Sequence, residues 1–198
     1  MVYKDREDVL FVSAFSGEID RLSSSLSLAE IKVLGIGNLN AALSLFVYLQ
    51  SNPHTKHVFF LGSGGSYPWS DYKTGALVQS NEFYQIETAG LSGFGKQLPT
   101  EPIHFLKSQS TLPQLRSNCP SLITLQDVNH AWKEKLALCE IENLECYGIA
   151  KVCKQFGISF TAFFAITNEV GPNGSVEWQK NWRELSNQLQ DKVLTFFT

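Results

Sequence analysis

Residues 141–171 read IENLECYGIAKVCKQFGISFTAFFAITNEVG, and two periodicities meet inside that stretch. In its first half Glu145, Ile149, Val152 and Phe156 are spaced by four, three and four, the repeat of one helix face. A helix is therefore expected over residues 144–156, stopping at Gly157, because glycine readily takes the left-handed conformation that ends a helix. In the second half, residues 158–166 form an apolar run rich in Ile and Phe, which suits a strand buried on both faces. A helix leading into a fully buried strand is a building unit of an α/β domain.

The same alternation continues towards the N-terminus. Further apolar runs occupy residues 9–15, 31–34, 58–61, 76–78 and 122–125, each bounded by small or polar residues. Residues 39–50 carry Leu39, Ala42, Leu43, Phe46 and Leu49 at helical spacing, and residues 177–197 read as a C-terminal helix with Leu185, Leu189 and Leu194 inward. Residues 92–120 hold Pro99, Pro102, Pro113 and Pro120 among several Ser and Gly residues, and are expected to be loops over the sheet. The fold class that follows is α/β: one domain over residues 1–198, with a mostly parallel or mixed central sheet flanked by helices.

Composition narrows the partners. The hydrophobic content of 43% and charged content of 18% in 198 residues are those of a globular domain with a substantial core. A net charge of -3 without a Lys/Arg cluster argues against a nucleic-acid surface, which needs cations to neutralise phosphates. The first eight residues are charged and do not resemble a leader, and no apolar run approaches the roughly 20 residues that span a bilayer. A soluble cytoplasmic protein is expected. Cys119, Cys139, Cys146 and Cys153 form no CxxC pair and have no His spacing suited to zinc, so reduced buried thiols and no metal are expected.

In open α/β sheets ligands bind beyond the carboxyl ends of the strands, so the residues following each apolar run matter most. They are Ser16-Gly17-Glu18, Gly35-Ile36-Gly37-Asn38, Gly62-Ser63-Gly64-Gly65, Asp127-Val128-Asn129 and Thr167-Asn168-Glu169. Gathered at one edge, they make a pocket of backbone N–H groups, carboxylates and a carboxamide. The Gly35-x-Gly37 turn lacks the third glycine and the downstream acid of a dinucleotide site, and reads as a tight strand-to-helix turn. The Gly62–Gly65 cluster lets the backbone approach a ligand closely. Glu145 is a carboxylate on an apolar stripe, where a charge is costly unless it is paired or bound to a ligand.

On these residues the chain resembles the nucleoside phosphorylase family that also contains methylthioadenosine/S-adenosylhomocysteine nucleosidase and futalosine hydrolase. The segments that carry the resemblance are VLFVSAFSGEIDRL, VLGIGNLNAALSL, VFFLGSGGS and the opening stretch, in the family's order. The last is similar to the family's block MExxxxA…(I/V)PF…AIS(D/N), with the interval from Glu145 to Asn168 kept without a gap. The resemblance implies a catalytic role for Glu18, acting on an attacking water, and for Asn168 at the purine. It implies that Glu145 accepts hydrogen bonds from the ribose hydroxyls, that Asn143 and Leu144 flank it, and that Ser63 and Gly64 face the nucleophile or ribose. Val128 and Asn129 would lie beside the base.

Cleavage of an N-glycosidic bond passes through a ribosyl cation-like state. It needs a carboxylate near the sugar and, because a purine leaves readily only when its N7 is protonated or strongly hydrogen-bonded, a donor near the base. Asn168 stands where the adenine-specific nucleosidases have Asp, and a carboxamide NH2 donates to a 6-oxo group or N7. That favours a hypoxanthine-type nucleoside. Phe60 stands where phosphorylases commonly have a phosphate-binding arginine, which favours water as nucleophile and no cofactor, with phosphate a co-substrate only in a phosphorylase. Phe164 stands where the hydrolases commonly have an arginine, and Asn143 where they have an acid. A phosphorylase and a nucleoside-binding protein without turnover remain the alternatives, and the family implies a homodimer. Residues 168–174 are read either as a mobile flap that Trp178 packs shut or as a plain surface turn with Trp178 anchoring the final helix.

Overall fold

The computed structural model describes residues 8–26, 29–108 and 110–197. Residues 1–7, which carry most of the N-terminal stretch read above for a leader, lie outside the described residues. The chain runs β1 (Val9–Ser13), a 3-10 turn (Ser16–Glu18), α1 (Asp20–Ser23), β2 (Glu30–Val33), α2 (Asn38–Ser51), β3 (His57–Ser66), β4 (Leu77–Tyr84) and α3 (Thr88–Leu91). It continues through β5 (Ile103–His104), β6 (Gln114–Asn118), β7 (Ile141–Glu142), α4 (Cys146–Phe156), β8 (Ser159–Glu169) and α5 (Gly174–Phe197). This is a single α/β domain with a mixed sheet, as the alternating periodicities imply.

Strands β3 and β8 organise the sheet. They run parallel from His57↔Ser159 to Ser66↔Glu169, with a bulge at Gly64/Gly65. β1 lies on the other edge of β3, with β2 beyond it, both parallel. The far ends of β3 and β8 reach a second group of strands. β3 pairs antiparallel with β7, β7 parallel with β6, β6 parallel with β4, and β4 antiparallel with β8. Five strands thus close on themselves, and β5 pairs with β4 outside the ring.

Alternation along the two central strands divides the core. Phe59 and Phe163 face α5, packing with Phe11, Leu185, Leu189, Val193 and Phe197. Phe60 and Phe164 face the other way, towards α2 and α4, with Leu45, Leu49, Ile149 and Cys153. The α2–α4 contact is close because Gly148 has no side chain: a Cβ there would collide with the Asn38 carbonyl oxygen. Helix α4 ends at Gly157, φ 67°, as expected.

Four local expectations are corrected. Residues 122–125 form no strand, and Leu122, Ile123 and Leu125 are exposed. The strands β5 and β6 lie inside the stretch read as loops; Gln114–Asn118 lacks an apolar run and is a strand because β4 and β7 pair with it. β3 continues through Gly62–Gly65 instead of ending before it. On α2 the buried face is Ala41, Leu45 and Leu49, whereas Leu39, Leu43, Phe46 and Val47 are exposed. Among the described residues no helix is long and apolar enough to cross a membrane.

Candidate active site

Strand β1 delivers the chain into the 3-10 turn that carries Glu18, whose side chain is buried. Its Oε1 accepts hydrogen bonds from the Ser63 backbone N–H at 2.9 Å and from Ser63 Oγ at 3.0 Å. Its Oε2 is buried with no partner among the described residues. Burial raises the carboxyl pKa to about 8, the nearby Glu145 charge adds to this, and the two Ser63 bonds oppose it. Glu18 is therefore mostly protonated at neutral pH in the folded chain.

Glu145 immediately precedes α4. Its Oε1 accepts from the Gly37 N–H at 3.0 Å, and its Oε2 from Asn143 Nδ2 at 2.8 Å. The Gly35-x-Gly37 turn, with Gly37 at φ 88°, thus holds a carboxylate instead of a phosphate. Burial is the leading influence on Glu145 too and raises its pKa, with the Gly37 and Asn143 bonds working against it.

Asn143 has two jobs that an acid could not combine. Its Oδ1 accepts from the N–H groups of Glu145 (2.9 Å) and Cys146 (3.0 Å), satisfying the start of α4. Its Nδ2 donates to Glu145 and lies 3.2 Å from the Ser63 carbonyl oxygen. One carboxamide therefore ties together the helix start, the carboxylate and β3.

Asn168 lies near the end of β8. Thr167 Oγ1 donates to its Oδ1 at 2.8 Å, and its Nδ2 donates to the Glu169 carbonyl at 3.0 Å. These bonds fix which end of the amide is nitrogen and leave one of its two N–H hydrogens for a ligand. Gly65 and Gly174 make room for it: a Cβ at either would stand 2.9 or 3.1 Å from Nδ2.

Glu18, Ser63, Gly64, Asn143, Leu144, Glu145 and Asn168 all border one cavity of about 220 Å³. Its apolar walls come from Ala14, Phe15, Ile36, Ile123, Val170 and Trp178. Trp178 stacks on Trp182 with centroids 5.8 Å apart, and the Phe15 ring meets both edge-on. No Lys, Arg or His is among the described lining residues. Phe60 and Phe164 instead pack on each other, ring centroids 5.9 Å apart.

Solved structures share this architecture. A Neisseria meningitidis 5'-methylthioadenosine/S-adenosylhomocysteine nucleosidase in complex with methylthio-immucillin-A superposes with a TM-score of 0.79 over 96% of this chain and 98% of its own, at 15% identity. A Helicobacter pylori futalosine hydrolase mutant gives 0.79 over 95% and 97% at 13% identity. The chain has the nucleosidase fold. An aspartate-to-asparagine mutant of the Helicobacter pylori methylthioadenosine nucleosidase, with 5'-methylthioadenosine in its active site, gives 0.78 over 99% and 98% at 14% identity. No protein-family model matches the sequence, and no curated protein matches it.

Within this nucleosidase fold two expected site residues lie elsewhere. Val128 packs beside Tyr67, Leu136 and Cys139, and Asn129 caps a 3-10 turn by accepting from the Ala131 N–H at 2.8 Å. Neither borders the cavity, because residues 122–125 are not the strand that would have aimed them there. Ile123 and Thr124 border it instead, together with Glu142. The two-residue strand β7 that carries Glu142 leaves no periodic signal in the sequence.

The 169–174 segment is tied down by Glu177 Oε2, which accepts from the Glu169 N–H, and by the Ser66 carbonyl, which accepts from the Val170 N–H. All four cysteines are free and buried, and burial raises every thiol pKa, that of Cys119 to about 12. Among the described residues no cluster of His, Cys, Asp and Glu is placed to hold a metal.

Proposed function

We propose that this chain hydrolyses the N-glycosidic bond of a purine nucleoside, with a 6-oxopurine as the released base. The convergence of Glu18, Ser63, Glu145 and Asn168 on one cavity free of basic side chains carries this reading. Glu145 accepts from the ribose hydroxyls and stabilises positive charge developing on the sugar. Ser63 orients Glu18, whose ionised form takes the proton of the attacking water. Asn168 donates a hydrogen bond from its remaining N–H to N7 or O6 of the leaving base, which gains its proton from solvent while Glu18 returns the one it took from water.

Two features favour water over phosphate. A phosphate dianion brought beside Glu18, Glu142 and Glu145 would meet three carboxyl groups and no lining cation. Phe60 fills the position where the resemblance leads one to expect the phosphate-binding arginine of a phosphorylase, whereas Phe164 fills one where the hydrolases commonly have an arginine and favours binding without turnover. No cofactor is required, and phosphate would enter only as the co-substrate of a phosphorylase. The nucleosidases and the futalosine hydrolase that share the fold support hydrolysis of a nucleoside.

The deciding assay is incubation with inosine, with and without phosphate, followed by measurement of free hypoxanthine. Release without phosphate is expected. Release that depends on phosphate would identify a phosphorylase. Tighter binding of adenine than of hypoxanthine would overturn the 6-oxo preference.

Binding without turnover is the second reading. Asn168 itself supports it, since an aspartate-to-asparagine mutant of a nucleosidase of this fold holds 5'-methylthioadenosine in its active site. It predicts hypoxanthine or inosine binding with no base released. We further propose a homodimer formed through the exposed apolar face of α2 and acting in the cytoplasm. Leu39 is 72% exposed and Val47 63%, and they continue a patch that includes Ile36 at the cavity rim.

A further inference from the structure

The segment 121–126, which gives Ile123 and Thr124 to the cavity wall, has no secondary-structure ladder and little apolar burial. Leu122, Ile123 and Leu125 are 69%, 56% and 55% exposed, so hydrophobic packing does not hold this segment in place. Yet Ile123 and Thr124 border the cavity. What holds them is polar, and two carboxylates are at the centre of it.

Glu142, buried on β7, accepts from the Thr124 N–H at 3.1 Å on Oε1 and from Thr124 Oγ1 at 2.7 Å on Oε2. Tyr67 OH donates to the same Oε2 at 3.0 Å and is itself fixed by Asn118 Nδ2 at 2.9 Å. Glu87, just before α3, accepts from the Ser121 N–H at 2.9 Å and from Ser121 Oγ at 2.8 Å. The Thr88 and Thr124 hydroxyls lie 3.0 Å apart, and Gln126 Nε2 donates to Ser92 Oγ.

No Lys, Arg or His forms an ion pair with Glu142 among the described residues. A buried carboxyl group without a counter-cation is costly, so its retention beside a cavity calls for a use. The neutral donors that satisfy it come from the wall segment and from Tyr67.

We propose that Glu142 is a positioning residue for the ligand: acting through Thr124, with Glu87 holding Ser121, it fixes residues 121–126 as a pre-ordered wall of the cavity. A wall ordered before binding spares the ligand the entropy of ordering it, so the benefit falls on affinity and not on the chemical step. The proposal rests on the nucleoside reading for the identity of the ligand. The attachment of the wall to Glu142 stands on the structure alone.

The test compares Thr124→Val, which keeps the shape and removes the hydroxyl, with Glu142→Gln and Thr124→Ser in the full chain. Backbone amide exchange of residues 121–126 and inosine kinetics are followed together. Thr124→Val and Glu142→Gln are expected to speed exchange in that segment about tenfold, the scale of one charge-assisted hydrogen bond. They raise KM, or the Kd of hypoxanthine, about tenfold with kcat held within about twofold. Thr124→Ser restores both. Should Glu142→Gln fail to fold, Thr124→Val against Thr124→Ser decides alone. Unchanged exchange, or faster exchange with unchanged KM and Kd, overturns the proposal. A wild-type protein that neither cleaves nor binds any purine nucleoside sinks the proposed function, and the ligand role of Glu142 with it.

Discussion

At the residue scale the site is governed by what burial does to acids. Glu18 has its pKa raised to about 8 in the folded chain against an ordinary value of 4.5. Between those two pH values the unfolded chain has released a proton that the folded chain still holds. Stability contributed through this group is therefore full below about 4.5 and falls as pH rises to about 8. Glu18→Gln removes the titration, and thermal melts across that range are expected to show a flatter dependence of Tm on pH than the wild type. The same ionisation controls turnover if Glu18 acts as base: kcat/KM for inosine should climb with pH and level off above about 8. A profile already flat below neutrality would remove Glu18 from that role. Asn143→Asp tests the neighbouring carboxylate. It keeps an oxygen for the start of α4 but loses the donor to Glu145 and adds a second negative charge there. An increase in KM of roughly tenfold or more is expected from one lost charge-assisted bond plus repulsion, read by steady-state kinetics.

Among single residues, legibility followed chemical conspicuousness. Glu145 stood out because a carboxylate on an apolar stripe is expensive, and Glu18 and Asn168 because each follows an apolar run. Glu142 and Thr124 carried no such mark. Glu142 is one acid in a stretch with several, and the bonds that make it distinctive join segments that only the fold brings together.

Elements were readable where burial is one-sided or complete. β8 is buried from Phe160 to Thr167, and the opening stretch shows it plainly. β6 was hidden because Gln114-Leu115-Arg116-Ser117-Asn118 takes its strand form from its neighbours. Helix α2 is apolar nearly all round, so its period could be read on the wrong face; the close approach at Gly148 decides which face turns inward. Gly148→Ala tests that contact. Its methyl group meets backbone at Asn38, which cannot rotate away, and overpacking of this kind costs about 1–3 kcal/mol. A lowered Tm in calorimetry is the expected result, and an unchanged one would show that the two helices separate freely.

For the whole molecule, the exposed face of α2 makes a statement about assembly. Leu39, Leu43, Phe46 and Val47 together form an apolar surface that a solitary domain seldom leaves in water. Leu43→Lys places a charge in its middle, and light scattering tests the proposed dimer: the mass of two chains for the wild type and of one for the variant are the expected results. A wild type that is already monomeric at micromolar concentration would refute the dimer.

The ring of strands also bears on how the chain comes into being. β3 and β4 are made early, yet both border β8, whose first pairing, His57↔Ser159, joins residues far apart in sequence. During synthesis neither can complete its hydrogen bonding until β8 has left the ribosome. Long-range pairing of this kind slows folding. A nascent chain whose β8 is still inside the ribosome should stay open to proteolysis, and one from which both β8 and α5 have emerged should resist it.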